Sequence, residues 1–135
     1  MNTKLYNFVK NNIGTKVDFD GKFGSTCVDL ARQYFHDVWG IEEHTGGVIG
    51  AKDLWLNYNN LPLEQKYFIR TVTNFRIGDV LIFNGTEKNE YGHVAIMLEE
   101  RENDFIVFEQ DGYKQDGAKI SICSKKNLLG ALRRK

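Results

Sequence analysis

The sequence predicts an α+β domain, in which N-terminal helices pack on an antiparallel sheet of about five to six strands. Three observations support this prediction. Apolar residues recur at helical spacing in the first half of the chain, short apolar runs of strand type follow from about residue 67, and short links join those runs. Short links indicate antiparallel neighbours, because parallel strands need long crossover connections.

The helices and strands follow from the spacing of the apolar residues. Apolar side chains three and four residues apart lie on one face of a helix, whereas alternation over a short run is typical of a strand. Helices are predicted over residues 3–11, 27–38 and 50–59. Strands are predicted over residues 67–73, 79–84, 92–99, 104–109, 118–123 and 128–132.

The composition favours one folded domain over residues 1–135 and argues against two classes of partner. Apolar residues make up 41% of the chain, which is enough for a single core. Eighteen basic residues balance eighteen acidic ones, so we expect no nucleic-acid partner, because phosphate binding usually needs a basic excess. We also expect no membrane association, since no apolar run approaches the roughly 18 residues that cross a bilayer. The N-terminal segment lacks the apolar stretch of a signal peptide.

Cys27 lies at the predicted start of the second helix, directly after a turn of Gly, Ser and Thr. Ser25 and Thr26 are both suitable N-cap residues, and Gly40 suits the helix end. Free N–H groups and the positive end of the helix dipole favour a thiolate, the form of cysteine that attacks a carbonyl. The alternative is a buried structural cysteine. Cys123 lies in an alternating run and is interpreted as a small, half-buried strand residue.

His93 is the best candidate for the base that a cysteine nucleophile needs. It opens a predicted strand directly after Gly92, a position from which a rigidly held imidazole can reach a cleft and act as general base and acid. His36 lies within a predicted helix and His44 in a polar loop, where both are expected to be solvated. The alternative for His93 is a histidine that is hydrogen-bonded for packing.

Two acids at the end of the next predicted strand are candidates for orienting the imidazole. Antiparallel neighbours run in opposite directions, so the end of strand 104–109 can lie near the start of strand 92–99. Glu109 or Asp111 is therefore predicted to accept a hydrogen bond from the N–H of His93. The alternative is that both are ordinary acids at a strand exit.

Four motifs that appear in one order resemble the CHAP family of cysteine, histidine-dependent amidohydrolases and peptidases. This family includes phage endolysins, virion-associated lysins and bacterial wall hydrolases. The motifs are GSTCVDLARQYF at 24–35, IGDVLIF at 77–83, YGHVAIM at 91–97 and FEQDG at 108–112. Each motif is weak alone, but the four in order are specific, and the resemblance spans residues 18–132.

The resemblance implies a papain-like fold and hydrolysis of amide bonds in bacterial peptidoglycan, as an endopeptidase or an N-acetylmuramoyl-L-alanine amidase. By matching position, Cys27 is similar to the family nucleophile, His93 to its general base and Glu109 to the acid that orients the histidine. Asp111 stands where many members have Asn, and Thr26 stands where many have Gln. An ionised Asp accepts hydrogen bonds but cannot donate one, which leaves the role of Asp111 open.

The segment before Cys27 predicts a calcium site. Calcium prefers several oxygen ligands, often at alternate positions of one loop, and several phage members of the family carry a calcium site in this segment. The predicted ligands are Asp18, Asp20, the backbone carbonyls of Lys22 and Gly24, and Asp29 on the first turn of the following helix. The alternative is a plain Asp-Gly turn in which Asp29 caps its own helix.

Several features of the whole protein stay open at this point. Without a signal peptide, we expect a phage lysin that passes from the host cytoplasm to the wall on phage release, or one carried in a virion. A separate wall-binding domain or subunit is a possible partner. One alternative is a non-catalytic, calcium-stabilised wall-binding or phage tail assembly module. Another is a papain-like toxin or deamidase that acts on protein.

Overall fold

The computed structural model describes residues 2–21, 26–43 and 48–135. The helices in these ranges are α1 (Thr3–Asn12), α2 (Cys27–Trp39), α3 (Asp53–Leu56), a 3-10 helix (Tyr58–Asn60) and α4 (Pro62–Tyr67). The strands are β1 (Phe68–Thr71), β2 (Val80–Phe83), β3 (His93–Glu100), β4 (Asp104–Glu109), β5 (Lys119–Ser124) and β6 (Leu128–Arg134). None of these helices has the length and apolar character that crossing a membrane requires.

The six strands form one antiparallel sheet in the order β1-β6-β2-β3-β4-β5. This confirms the predicted α+β architecture, and each predicted strand ends within two residues of the observed one. The first two predicted helices are confirmed with the same precision. The last strand returns to pair between β1 and β2, a long-range arrangement that the spacing of apolar residues does not reveal.

The predicted helix over residues 50–59 is wrong in its extent. The structure has only the short α3 there, followed by the 3-10 helix, because the Asn-rich stretch around Asn57 has low helix propensity. Helix α4 was not predicted, although Pro62 at its first position is a favourable helix start. Tyr67, predicted as the first residue of a strand, ends α4.

Two apolar clusters lie on opposite faces of the sheet. Helices α1 and α2 cover one face, where Phe8 and Phe35 pack with strand residues such as Ile82 and Val94. The second cluster consists of Leu81, Phe83, Ala95, Met97, Phe105, Val107 and Ala131, with Cys123 packed against it. Strands β2 and β3 supply alternate residues to the two clusters, so both faces of the central sheet are buried.

Candidate active site

Cys27 is the first residue of α2, and the residues around it cap that helix. The Asp29 backbone N–H donates to the Thr26 hydroxyl at 3.2 Å, and the Thr26 backbone N–H donates to the Asp29 carboxylate at 3.1 Å. This reciprocal capping box fixes the backbone on both sides of Cys27. Thr26 is thereby confirmed as the N-cap, while Ser25 lies outside the described residues.

Gln110 connects this helix start to the end of β4. Its side-chain amide donates to the carbonyls of Val17 at 2.7 Å and Thr26 at 2.8 Å, and its oxygen accepts from the Val17 backbone N–H at 2.8 Å. The side chain is fully buried. Gln110, which follows Glu109, therefore holds Thr26, which precedes Cys27.

His93 is the first residue of β3 and pairs with Phe83 of β2. The preceding Gly92 has a φ of 78°, and a Cβ there would lie 2.4 Å from the Phe83 carbonyl oxygen. A side chain at position 92 would therefore collide with the backbone of the neighbouring strand. The glycine allows the tight turn that brings the imidazole to the end of the sheet.

Glu109 holds the imidazole and is itself held from the neighbouring strand. His93 Nε2 lies 2.6 Å from Glu109 Oε1, with both side chains largely buried. The Ser121 hydroxyl donates to Glu109 Oε2, and the Cys123 thiol donates to Glu109 Oε1 at 3.2 Å. The carboxylate thus connects β3 to β5.

These contacts favour the charged forms of both partners. Burial alone would raise the pKa of Glu109, but the hydrogen bond and charge of His93, with smaller contributions from Ser121 and Cys123, lower it to about 2. Burial alone would lower the pKa of His93. Interactions with Cys123, Cys27 and Glu109 outweigh burial and raise this pKa well above its usual value near 6.5.

A cavity of about 490 Å³ contains both candidate reacting groups. Cys27 and His93 line it, together with Asp111 and the apolar and aromatic side chains of Ile49, Tyr91 and Tyr113. The nearby Cys27 is one cause of the raised pKa of the imidazole. The structure therefore brings together the predicted nucleophile, its base and the orienting acid Glu109.

Asp111 lies in the cavity wall, but its hydrogen bonds are not to the imidazole. Its Oδ1 accepts from the backbone N–H groups of Tyr113 at 2.8 Å and Lys114 at 3.4 Å, which stabilises its own turn. Its catalytic role therefore stays a prediction. His36 is exposed and pairs with Asp37, as expected for a helix-surface histidine.

Three of the five predicted calcium ligands come together. Carboxylate oxygens of Asp18, Asp20 and Asp29 all lie within 4.8 Å of one another. Lys22 and Gly24 lie outside the described residues, as does His44.

The electrostatics of the three acids fit a divalent cation. Burial raises the pKa of Asp29, and the nearby charges of Asp20 and Asp18 raise it further, against the lowering effect of the bonds from Thr26. The Arg32 guanidinium approaches Asp20 at 3.6 Å and partly balances this negative charge. Both cap bonds from Thr26 reach Asp29 Oδ2, so the cap does not use Oδ1. Helix capping and cation binding by Asp29 are therefore compatible.

Three residues around the site do not stand out in the sequence. Gln110 is only one letter of a motif, and the alternating run that contains Ser121 and Cys123 predicts plain strand residues. The strand position of Cys123 is confirmed, but its thiol also contacts Glu109, the predicted orienting acid. Alternation in β5 places Ser121 and Cys123 on one face, which is the signal that was present.

The sequence has a recognisable family match and a phage relative. A family model described as the CHAP domain matches residues 16–111. The endolysin PlyTW of Staphylococcus phage Twort is 30% identical over 103 residues, which is 67% of this chain and 19% of that protein. The chain therefore spans about a fifth of the length of this relative.

Two solved structures share the fold. The crystal structure of Ly7917 with the hydrolyzing product of MDP superposes with a TM-score of 0.71 at 17% identity, covering 97% of this chain and 61% of that one. The wild-type endolysin LysIME-EF1 gives a TM-score of 0.66 at 21% identity, covering 96% of this chain and 63% of that one. The fold is thus the papain-like α+β fold that the resemblance implied. Because the family model matches more than half of its residues, the chain belongs to the CHAP domain family.

Proposed function

We propose that this domain hydrolyses amide bonds of bacterial peptidoglycan, with Cys27 as nucleophile, His93 as general base and acid, and Glu109 as the acid that orients His93. The observation that carries the proposal is the cavity in which Cys27 and His93 meet while Glu109 contacts His93 Nε2 from behind. A nucleophile, a base and an orienting acceptor in this order are the requirements for acyl transfer.

The proposed reaction has two steps. The Cys27 thiolate attacks the substrate carbonyl, and N–H groups at the start of α2 stabilise the oxyanion. Protonated His93 donates its proton to the leaving amine as the C–N bond breaks, which leaves an acyl-enzyme on sulfur. His93 then takes a proton from water, whose oxygen attacks the thioester. The acid product departs, and the proton taken from water returns the imidazole to its charged form beside the thiolate.

The walls of the cavity suit a peptide that carries both apolar groups and amines. Tyr91 and Tyr113 are 45% and 64% exposed and give stacking surfaces, while Asp111 adds negative charge. Ly7917, a structural neighbour, is described in complex with the hydrolyzing product of MDP. Whether the bond cleaved lies within the peptide or at muramic acid depends on groove shape. Mass spectrometry of the products separates the two, since only an amidase frees the muramic lactyl group.

Calcium is the proposed ion for the Asp18, Asp20 and Asp29 cluster. Three carboxylates form the hard oxygen donor set that calcium prefers, and backbone carbonyls of the intervening loop are the further ligands predicted from the sequence. When bound, the ion supplies positive charge beside the loop that leads into Cys27. Asp29 is the residue that transmits this effect, because it also caps α2 through Thr26.

The whole protein is proposed to act on the cell wall during phage release or from a virion, since the similar protein PlyTW is a phage endolysin. A wall-binding domain or subunit is its proposed partner. The chain covers only a small part of PlyTW, which leaves room for such a module in a relative of that length.

The test is the loss of turbidity of purified cell walls. Wild type should clear the walls, Cys27→Ala should not, and EDTA should slow the wild type. A domain that labels with iodoacetamide no faster than a free thiol, and leaves walls intact, would instead be a non-catalytic binding or assembly module. Rapid labelling without any wall lysis would favour a toxin or deamidase that acts on protein.

A further inference from the structure

A second sulfur lies on the Glu109 side of His93. The Cys123 thiol is 3.2 Å from Glu109 Oε1, the same oxygen that contacts His93 Nε2 at 2.6 Å. The Cys123 Sγ also lies within 4.8 Å of a ring nitrogen of His93. Two thiols therefore lie near His93, of which the proposed reaction uses only Cys27.

The geometry points to a binding site for a thiophilic divalent cation, such as Zn²⁺, formed by His93, Glu109 and Cys123. One ligand atom from each of the three residues lies within 4.8 Å of the other two. Imidazole nitrogen, carboxylate oxygen and thiolate sulfur are all zinc ligands, and three protein ligands with an open fourth position form a common zinc arrangement. Calcium prefers oxygen ligands and is not expected to compete at this thiol-containing site.

A second cavity gives the ion a route to two of these ligands, His93 and Cys123. It has a volume of about 280 Å³, and its lining includes His93, Cys123, Ser124 and Asn127 but neither Cys27 nor Asp111. A cation can therefore reach the site, with water completing its coordination, without passing through the cavity proposed for the substrate. Lys126 also lines this route and opposes a cation, so the affinity depends on the three ligands.

Binding at this site removes the base of the proposed reaction, and to that extent the inference rests on the proposed function. The ion takes the place of the protons on Cys123 Sγ and His93 Nε2, and both protons pass to solvent. A neutral imidazole bound through Nε2 carries its remaining proton on Nδ1, the nitrogen left for Cys27. His93 then has no free lone pair with which to accept a proton from the thiol or from water. Zinc should therefore inhibit reversibly.

The first test measures the metal directly and needs no activity. Chelator-treated protein is titrated with Co²⁺, whose bond to a thiolate gives a charge-transfer absorption band. We expect the band in wild type and in Cys27→Ser, and its loss in Cys123→Ser. Serine keeps a hydroxyl donor for Glu109 but removes the sulfur ligand, and circular dichroism checks that each variant is folded. Absence of the band from wild type, or its loss in Cys27→Ser with retention in Cys123→Ser, overturns the inference.

The second test measures inhibition of wall hydrolysis by Zn²⁺ in the presence of excess calcium. Each variant is normalised to its own rate without zinc. The zinc concentration that halves the rate should rise at least about tenfold in Cys123→Ser, because even outer-shell changes cost roughly 10- to 100-fold in metal affinity. Equal inhibition of both proteins would place the inhibitory metal elsewhere and contradict the proposal. If the protein hydrolyses no substrate but shows the cobalt band, the metal site stands and the proposed function fails.

Discussion

The two sides of the candidate site are held by different kinds of contact. On the nucleophile side, Thr26 and Asp29 cap α2 through bonds between residues three positions apart. On the base side, His93 and Glu109 are 16 positions apart, and they meet only because β3 and β4 pair in the observed register. The nucleophile side therefore depends on local chain chemistry, whereas the base side depends on strand register, in which a slip of one residue would reverse the side chains.

Gln110 connects the two sides. Successive side chains of an extended chain point in opposite directions, so Glu109 reaches His93 while Gln110 reaches the carbonyl of Thr26. A two-residue segment thus fixes the imidazole on one face and the backbone before the nucleophile on the other. Substitutions on the base side, at Gln110 and on the nucleophile side should consequently change rate and stability in different ways.

The largest expected effect comes from removing the base. His93→Ala should lower the rate of wall hydrolysis by about 10²- to 10⁴-fold, because proton transfer by a positioned side chain contributes on this scale. The measurement is the initial rate of release of soluble wall fragments, with circular dichroism as the check on folding. His36→Ala is the matched control, since His36 is exposed on α2 and contacts Asp37. A folded His93→Ala protein with nearly the rate of His36→Ala would show that His93 is not the base.

Replacing Gln110 should lower the stability of the protein as well as its rate of hydrolysis. Gln110→Ala deletes three hydrogen bonds, two buried and one part-buried, and should lower the free energy of unfolding by about 2–4 kcal/mol, as measured by urea denaturation. Gln33→Ala is the control, because the Gln33 amide makes an exposed bond to Asp37. Under conditions where the Gln110 variant stays folded, the hydrolysis rate should also fall. Loss of stability without loss of rate would mean that Gln110 supports the fold but does not position Cys27.

The contribution of the base side to the free energy of unfolding should depend on pH. The pKa of Glu109 is about 2 in the folded protein, below its ordinary value of 4.5, so folding favours the carboxylate. This contribution is present above pH 4.5 and is lost as the pH falls towards 2. His93 stays protonated throughout this window, since its pKa is raised above 6.5. The free energy of unfolding should fall by up to about 3 kcal/mol over this pH range. Urea denaturation at each pH should show no such fall in Glu109→Gln. An unchanged pH profile in the variant would assign the acid dependence to other carboxylates.

The difference between the two sides also explains what the sequence could predict. The cap at Thr26, the position of Cys27 at the helix start and the strand bearing His93 follow from local spacing, and all are observed. The contact of Glu109 with His93 was predicted together with the alternative Asp111, because short links imply antiparallel neighbours without fixing their register.

The contacts that sequence reasoning missed require knowledge of non-local packing. Cys123 pairs across the sheet with Phe105, four positions from Glu109, yet its thiol reaches the Glu109 carboxylate. Alternation within β5 places Cys123 on the same face as Ser121, but it does not indicate which side chain of β4 the thiol contacts. The three bonds of Gln110 were likewise hidden, because an exposed polar residue after a strand and a buried one have the same local sequence.

The smallest expected effect is on the nucleophile side, where the proposed calcium ion should act through stability. Calcium at ten times its dissociation constant should stabilise the folded protein by about 1.4 kcal/mol and raise the melting temperature. In Asp18→Asn this shift should shrink at the same calcium concentration, because the cluster of three carboxylates loses one negative ligand. Without calcium the same variant should be at least as stable as wild type, since Asp18 raises the pKa of Asp29 by repulsion.

The control is Asp37→Asn, which is exposed on α2 and should leave the calcium-induced shift in melting temperature unchanged. An Asp18→Asn protein with the full calcium shift would mean that the ion does not bind at this cluster. A variant that is less stable even without calcium would mean that Asp18 supports the loop itself.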